Sequence, residues 1–253
     1  MLKFFRRIRQ NLLLENNAGK YLKYAIGEIV LVVIGILIAL QINNWNNQKV
    51  NAKLEKELLI NLKNEFTINQ TALKTMISYH ESIREGCINL LTLMGPNKSS
   101  IDENDFNELI GITGWTPSHS PQRGVLNSTL NSGKIELIKN DSLVFNLSAL
   151  STSEKDYSSA IVLINKLTED YIIPLLLENY SYMNINVGPY TSKTKSSFKT
   201  NQTAIMQSQK MESLISLKRI NTEVTIGSAE NLYKSQETIL ALIEKELERI
   251  VND

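Results

Sequence analysis

The chain has 253 residues, enough for one or two domains with a substantial core. Its 27 Lys and Arg balance 26 Asp and Glu, which excludes a diffuse attraction to nucleic acid or to acidic partners. The single cysteine, Cys87, excludes an intramolecular disulfide and is silent about compartment.

Residues 1–20 read as a basic cytoplasmic tail. As far as position 23, Lys3, Arg6, Arg7, Arg9, Lys20 and Lys23 face a single acid, Glu15. The stretch LKFFRRIRQNLL mixes cations with large apolar residues and suits anionic headgroups. Residues 21–43 read as a transmembrane helix. Glu28 is the only charge between Ala25 and Leu40. A helix from Tyr21 to Ile42 reaches ~33 Å, which spans a ~30 Å hydrocarbon layer with slight tilt. Tyr21 and Tyr24 at one end and Trp45 at the other belong at headgroup level.

A buried core helix is seldom apolar all round for this length. A cleaved signal peptide has a shorter apolar region that ends in small residues, whereas this one ends Ala39-Leu40-Gln41. The segment is therefore expected to stay as an anchor. Lys49, Lys53, Lys56 and Lys63 follow the span at wider spacing than the cations before it. The positive-inside rule then puts the N-terminus in the cytoplasm. In a bacterium this gives a single-pass inner-membrane protein with its main domain, residues 44–253, in the periplasm.

Glu28 is the sharpest oddity of the span. A carboxylate about 10 Å inside the helix end costs roughly 2.5–3.5 kcal/mol, so it is protonated or partnered. Gly35 and Ala39 fall within about 20° of it on the helical wheel. One polar group beside two small residues is the pattern of close helix–helix contact. Glu28, Gly35 and Ala39 are thus the expected face for another transmembrane helix, of a second copy or of a membrane partner. The plainer alternative is a Glu that reaches water or stays protonated. A proton pathway finds no relay on one helix.

Beyond Trp45 the helical pattern continues to Met94 and ends at Gly95-Pro96. Leu59, Leu62, Phe66, Leu73, Met76, Ile83, Cys87, Leu90 and Met94 recur at spacings of three and four. Only Asn69 and His80 interrupt this seam. His80 and Cys87 lie seven apart, too far to act as a nucleophile–base pair, and suit core packing. A short helix is expected from Asp102 to Ile110, then the loop GITGWTPSHSPQRG, then a helix from Val125 to Asn131. Gly133 suits the left-handed position after that helix, and Lys134–Lys139 alternates like an extended segment.

Asn140 or Asp141 caps a second long helix with the seam Leu143, Leu147, Leu150, Glu154, Tyr157, Ile161, Ile164, Thr168, Tyr171 and Leu175. Pro174 should kink or end it. Residues 181–200 read as a connection. A last helix is expected from Gln202 to Val251, with the seam Ile226, Ala229, Tyr233, Gln236, Leu240, Ile243, Leu247 and Ile250. Leu214, Leu217, Ile220 and Val224 fall in another register, which predicts a stutter near Gly227.

Three such helices cannot bury their stripes alone. The expected fold is all-α: one N-terminal transmembrane helix continuing into an elongated antiparallel helical bundle, with the short helices at its distal end. A coiled coil between chains is the rival. The segment KYAIGEIVLVVIGILIALQINNWN, with LKFFRRIRQNLL before it, resembles a family of uncharacterised bacterial single-pass membrane proteins. The stretch from Trp115 through Ser132-Gly133-Lys134 to Asn140-Asp141-Ser142-Leu143 looks like that family's second recurring block. The resemblance implies location and architecture and no catalytic residue.

No G-x-S-x-G, P-loop, H-E-x-x-H, C-x-x-C or G-x-G-x-x-G occurs. Asp102, Glu103 and Asp105 suit a helix start, and Glu244, Glu246 and Glu248 a solvated face. The expectation is a protein that is not an enzyme and uses no cofactor or metal. It is expected to be an interaction or scaffold protein of the cell envelope, whose partners are the lipid bilayer and another transmembrane helix, of a second copy or of a membrane protein, and not nucleic acid. The alternative is a sensor-like ligand-binding bundle acting through a membrane partner. The loop residues Trp115, His119 and Arg123 are the candidate contact surface for a partner or ligand. The plainer reading has Trp115 plugging the bundle's end.

Overall fold

The structure is a computed structural model that describes residues 18–186 and 194–252. Most of the basic tail, to residue 17, and the Gly188-Pro189 part of the connection lie outside the described residues. Among the described residues the chain is helix, turn and loop without a strand, an all-α fold. It divides into two compact units, Met1–Lys56 and Glu57–Asp253.

Helix α1 is unbroken from Ala18 to Leu93. In the first unit nothing covers its apolar residues: every large side chain from Ile29 to Leu40 is exposed. Lys49 sets its ammonium 3.8 Å from the centre of the Trp45 ring, a cation–π contact one turn further on.

The second unit has four legs. The first is α1 itself from residue 57, whose seam residues Leu59, Leu62, Phe66, Leu73, Ile83, Cys87, Leu90 and Met94 are buried. Helices α2 (Glu103–Gly114) and α3 (Gly124–Asn131), the loop between them and a 3-10 turn at Lys134–Leu137 make the second. Helix α4 (Asp141–Leu167), a π-helical turn (Thr168–Ile172) and α5 (Ile173–Leu177) make the third. After a 3-10 turn at Tyr182–Asn184, α6 (Gln202–Met206) and α7 (Gln209–Asn252) make the fourth.

Pairings across the unit give the directions. Lys63 meets Glu244 at 2.8 Å and Arg84 meets Glu223 at 3.5 Å, so α7 descends as α1 ascends. One apolar cluster joins Leu59–Leu73 of α1 to Leu143–Ile161 of α4, and a second joins Ile83–Met94 to Leu167, Ile172 and Leu176. Helix α4 therefore ascends beside α1. The chain returns between them through the second leg, which makes the order up, down, up, down.

That path corrects the expected place of the short helices. They descend along the unit because buried polar groups of α1 hold them there. Glu65, on the seam side of α1, accepts the free N–H groups of Val125 (2.7 Å) and Leu126 (3.0 Å) at the start of α3. Those amides have no partner inside their own helix, and the carboxylate also sits at the positive end of its dipole. One turn on, Asn69 bonds both the carbonyl (2.7 Å) and the N–H (2.8 Å) of Gln122. The polar break in the apolar seam is thus a clamp on the loop.

Other elements differ from expectation for local reasons. Asp102 caps α2, accepting from the amides of Asn104 and Asp105, and the helix runs on past Ile110 to Gly114. Gly111 allows this: a Cβ there would lie 1.8 Å from the carbonyl oxygen of Asn186. Gly133 is left-handed (φ 72°) as expected, but it is followed by a 3-10 turn over Lys134–Leu137, after which Ile138 is extended and buried. Glu246 is buried, taking bonds from Asn140 (2.8 Å) and Arg249 (2.7 Å), where a solvated face was expected.

Pro174 does not end the third leg: it stands in the first turn of α5, where its missing N–H is tolerated. The π turn before it carries one extra residue, with the Ile173 N–H reaching back to the Thr168 carbonyl. The buried row consequently shifts by one. Ile172 and Leu176 are buried, while Tyr171, on the expected row, is 56% exposed.

The last helix is interrupted at Gln207-Ser208, where the Ser208 hydroxyl accepts the Met211 N–H. From there one register holds without a stutter: Met211, Ile215, Lys218, Thr222, Thr225, Ala229, Leu232, Gln236, Ile239 and Ile243 are all buried. Leu217, Ile220 and Val224 point outward, with Val224 58% exposed. The stutter was expected because this part of α7 has its polar residues inside and its apolar ones outside.

Replacing Glu65 by Ala leaves two amide donors without their acceptor inside the protein. The expected loss is about 1–3 kcal/mol of unfolding free energy. Hydrogen exchange should rise first at Val125 and Leu126; unchanged protection there would remove the clamp from the account.

Candidate functional site

The segment Trp115–Arg123 joins α2 to α3 and is tied down at three depths. Thr116, nearly buried, takes a long hydrogen bond (3.4 Å) from the Lys218 ammonium. Gln122 is held by Asn69, and Arg123 pairs with Glu154 of α4 at 3.1 Å. A loop held in this way presents its side chains on a fixed backbone, as recognition loops do.

Trp115 packs edge-on against Tyr79 of α1, the ring centres 6.4 Å apart and the planes at 75°. The pair walls a cavity of about 480 Å³ that also has Ile83, Ile112 and Pro117 in its lining. Asn104, Glu108 and Asn186 bring polar groups to the same space. An apolar and aromatic wall with a few polar groups is the usual make-up of a small-molecule site. Two glycines shape it. Gly86 lets α2 come close to α1, since a Cβ would meet Ile112 Cγ2 at 2.8 Å, and Gly111 admits the backbone of Asn186.

A shallower groove of about 750 Å³ continues from this cavity between α1 and α2, sharing Ser82, Glu108 and Ile112 with it. Glu81, Glu85 and Asp105 join Glu108 along its lining. No lysine, arginine or histidine among the described residues lines either space.

The structure separates the three loop residues chosen from sequence. Trp115 belongs to the cavity just described. His119 and Arg123 line another concavity of about 380 Å³, with Glu154, Tyr157 and three serines of α4 and the loop. There the His119 Nε2 and Arg123 Nε atoms are buried without a hydrogen-bond partner. Burial pushes the Glu154 carboxyl above its usual range, against the pull of the Arg123 guanidinium, and nearby Glu65 adds to the rise. The remaining candidates, Glu28, Gly35 and Ala39, lie on α1 in the first unit, where a Cβ on Gly35 would meet open space.

Two buried polar pairs lie deeper, and only one was open to reading in the sequence. His80, which breaks the α1 seam, hydrogen-bonds Tyr157 at 2.9 Å, and burial holds its imidazole down to about 4. Lys218 gave no such warning. Its side chain is 0% exposed, and its ammonium donates to Thr168 in the π turn at 2.7 Å as well as to Thr116. The signal was its place in the row Met211, Ile215, Lys218, Thr222, obscured by the more apolar row beside it. Cys87, also fully buried, has its thiol pushed up to about 11 by burial and stays protonated near neutrality. Among the described residues no group of three or more His, Cys, Asp or Glu is placed to hold a metal ion.

Burial holds the Lys218 ammonium down to about 8, from an ordinary 10.5. Between those values the unfolded chain binds a proton that the folded chain does not, so this group makes stability rise with pH. Below about 8 the full cost of burying the charge remains. Lys218→Met is expected to raise the unfolding free energy at pH 7 by about 1–4 kcal/mol. The advantage should shrink as the pH approaches 10. Denaturant titrations of both proteins at pH 7 and pH 10 measure it, and an advantage that does not vary with pH would contradict a charge-based cost.

A sequence profile for a family of unknown function (DUF6090) matches residues 28–163, more than half of the chain, and the chain belongs to that family. The match takes in Glu28, Tyr79, Trp115 and Arg123, and it ends within α4, before Lys218. No curated protein and no solved structure matches the chain.

Proposed function

We propose that this family member is a non-enzymatic interaction or scaffold protein of the bacterial cell envelope, anchored in the inner membrane by residues 21–43. The tail before the anchor is cytoplasmic in this reading, and the domain after it is periplasmic. The observation that carries the proposal is the exposure of every large apolar side chain from Ile29 to Leu40. Moving each such side chain out of water is favourable by roughly 1.5–3 kcal/mol, so a stretch of ten has a strong preference for lipid. The excess of cations before the span supports the orientation.

Within the membrane, Glu28, Gly35 and Ala39 form the face that meets another transmembrane helix. The small size of Gly35 and Ala39 supports close approach of two helix backbones, and the carboxyl of Glu28 supplies a polar contact whose strength grows away from water. The partner is a second copy or a different membrane protein.

A second reading is favoured by the cavity at Tyr79 and Trp115: a sensor-like domain that binds a small ligand and acts through a membrane partner. The cavity's mixture of aromatic wall and convergent polar groups is what supports it.

Alkaline carbonate should leave the full chain in the membrane pellet; release into the supernatant would end the anchor proposal. Crosslinking from Ala39 in native membranes should capture one defined partner. Replacing Glu28 by Gln together with Gly35 by Ile should abolish that capture, and an undiminished yield would discard this face.

A further inference from the structure

We infer that the cleft between α1 and α2 binds a small organic cation with an apolar body, such as an aryl- or alkylammonium, with the body against Tyr79 and Trp115 and the charge toward Glu108. This deepens the sensor reading and rests on it.

Three observations carry the inference. The Tyr79–Trp115 pair offers aromatic surface at the cavity wall, held edge-on rather than collapsed face to face. Such a wall receives an apolar or aromatic body by edge-to-face or offset contact, and an ammonium group held within about 6 Å of the rings is attracted to them as well. The cavity volume of about 480 Å³ suits a molecule of that size.

Charge adds the second constraint. Four carboxylates, Glu81, Glu85, Asp105 and Glu108, line the cavity or the groove that continues it. Arg84 is the nearest cation in sequence. Its guanidinium lies 3.1 Å from Glu85 and 3.5 Å from Glu223 of α7, so it offsets Glu85 alone among the four. Among the described residues none pairs with the carboxylates of Glu81, Asp105 or Glu108. Glu108 borders both spaces, which puts one negative charge where the apolar wall meets the acidic groove. An anionic ligand meets repulsion throughout this cleft.

The third constraint is rigidity. Gly111 admits the backbone of Asn186 at a distance no side chain would allow, and Gly86 leaves room on α1 for the Ile112 side chain of α2. Thr116 ties the residue next to Trp115 to Lys218. The aromatic wall is therefore set before a ligand arrives, which lowers the ordering cost of binding.

The test uses the full chain in nanodiscs of zwitterionic lipid. Trp45→Phe leaves Trp115 as the single tryptophan, so its emission reports on the cavity. Benzyltrimethylammonium should change that emission saturably, and phenylacetate should not. 2-Phenylethanol should bind about tenfold more weakly than the cation. Glu108→Gln, at an exposed position that folding does not need, should weaken the cation about tenfold and leave the alcohol unchanged. Equal binding of alcohol and cation, or no effect of Glu108→Gln, would overturn the charge selectivity while leaving the cavity a ligand site. Absence of a saturable response to all three probes would overturn both the inference and the sensor reading.

Discussion

A carboxylate buried on the seam of a long helix has to find donors, and Glu65 finds them at the start of α3. The amides of Val125 and Leu126 are the ones a helix cannot satisfy by itself, so each side solves the other's problem. Asn69, one turn along, does the same for the backbone of Gln122. Together they determine that the chain between Leu93 and Asp141 descends along α1. With that leg in place α4 must ascend, and the four-legged order follows. The far end of the loop from Trp115 to Arg123 inherits its position from the same two residues.

The opposite end of the unit is organised around a buried cation. The Lys218 ammonium donates to two hydroxyls, those of Thr116 and Thr168, and Thr168 begins the π turn. The extra residue of that turn moves the buried row from Tyr171 and Leu175 to Ile172 and Leu176. It also gives the path into Pro174 a helical geometry in which the missing N–H is absorbed. A charge held by neutral groups is a weak source of stability, so its value here is positional. It connects the loop, the third leg and α7 at one point.

These two anchoring systems converge on the cleft that holds Trp115. The wall residue is fixed through Thr116 and Lys218, and the far end of its loop through Asn69 and Glu65. Glycines at 86 and 111 then set the width of the cleft. His119 and Arg123 leave this cleft and turn to α4, where the ion pair with Glu154 draws them into a separate concavity. Adjacent residues of one loop therefore serve two surfaces.

Periodicity alone determined the helices and most of the buried face. The α1 seam from Leu59 to Met94 and the α4 seam as far as Ile164 were legible because apolar residues at spacings of three and four have only one way to leave water. The exposed apolar run from Ile29 to Leu40 was legible for the same reason. Tertiary structure decided what a one-dimensional pattern cannot encode. Asn69 and Glu65 become clamps only when a particular loop reaches them, and Lys218 is tolerated inside only because Thr116 and Thr168 arrive from other legs. The row with Leu217, Ile220 and Val224 was the better apolar stripe, yet it lies outside, since the register of α7 follows from Ala229, Leu232 and Ile239 further along the same rigid helix. The cleft, finally, depends on close approaches that two glycines permit, Gly86 to the Ile112 side chain and Gly111 to the backbone of Asn186, and no local pattern measures those.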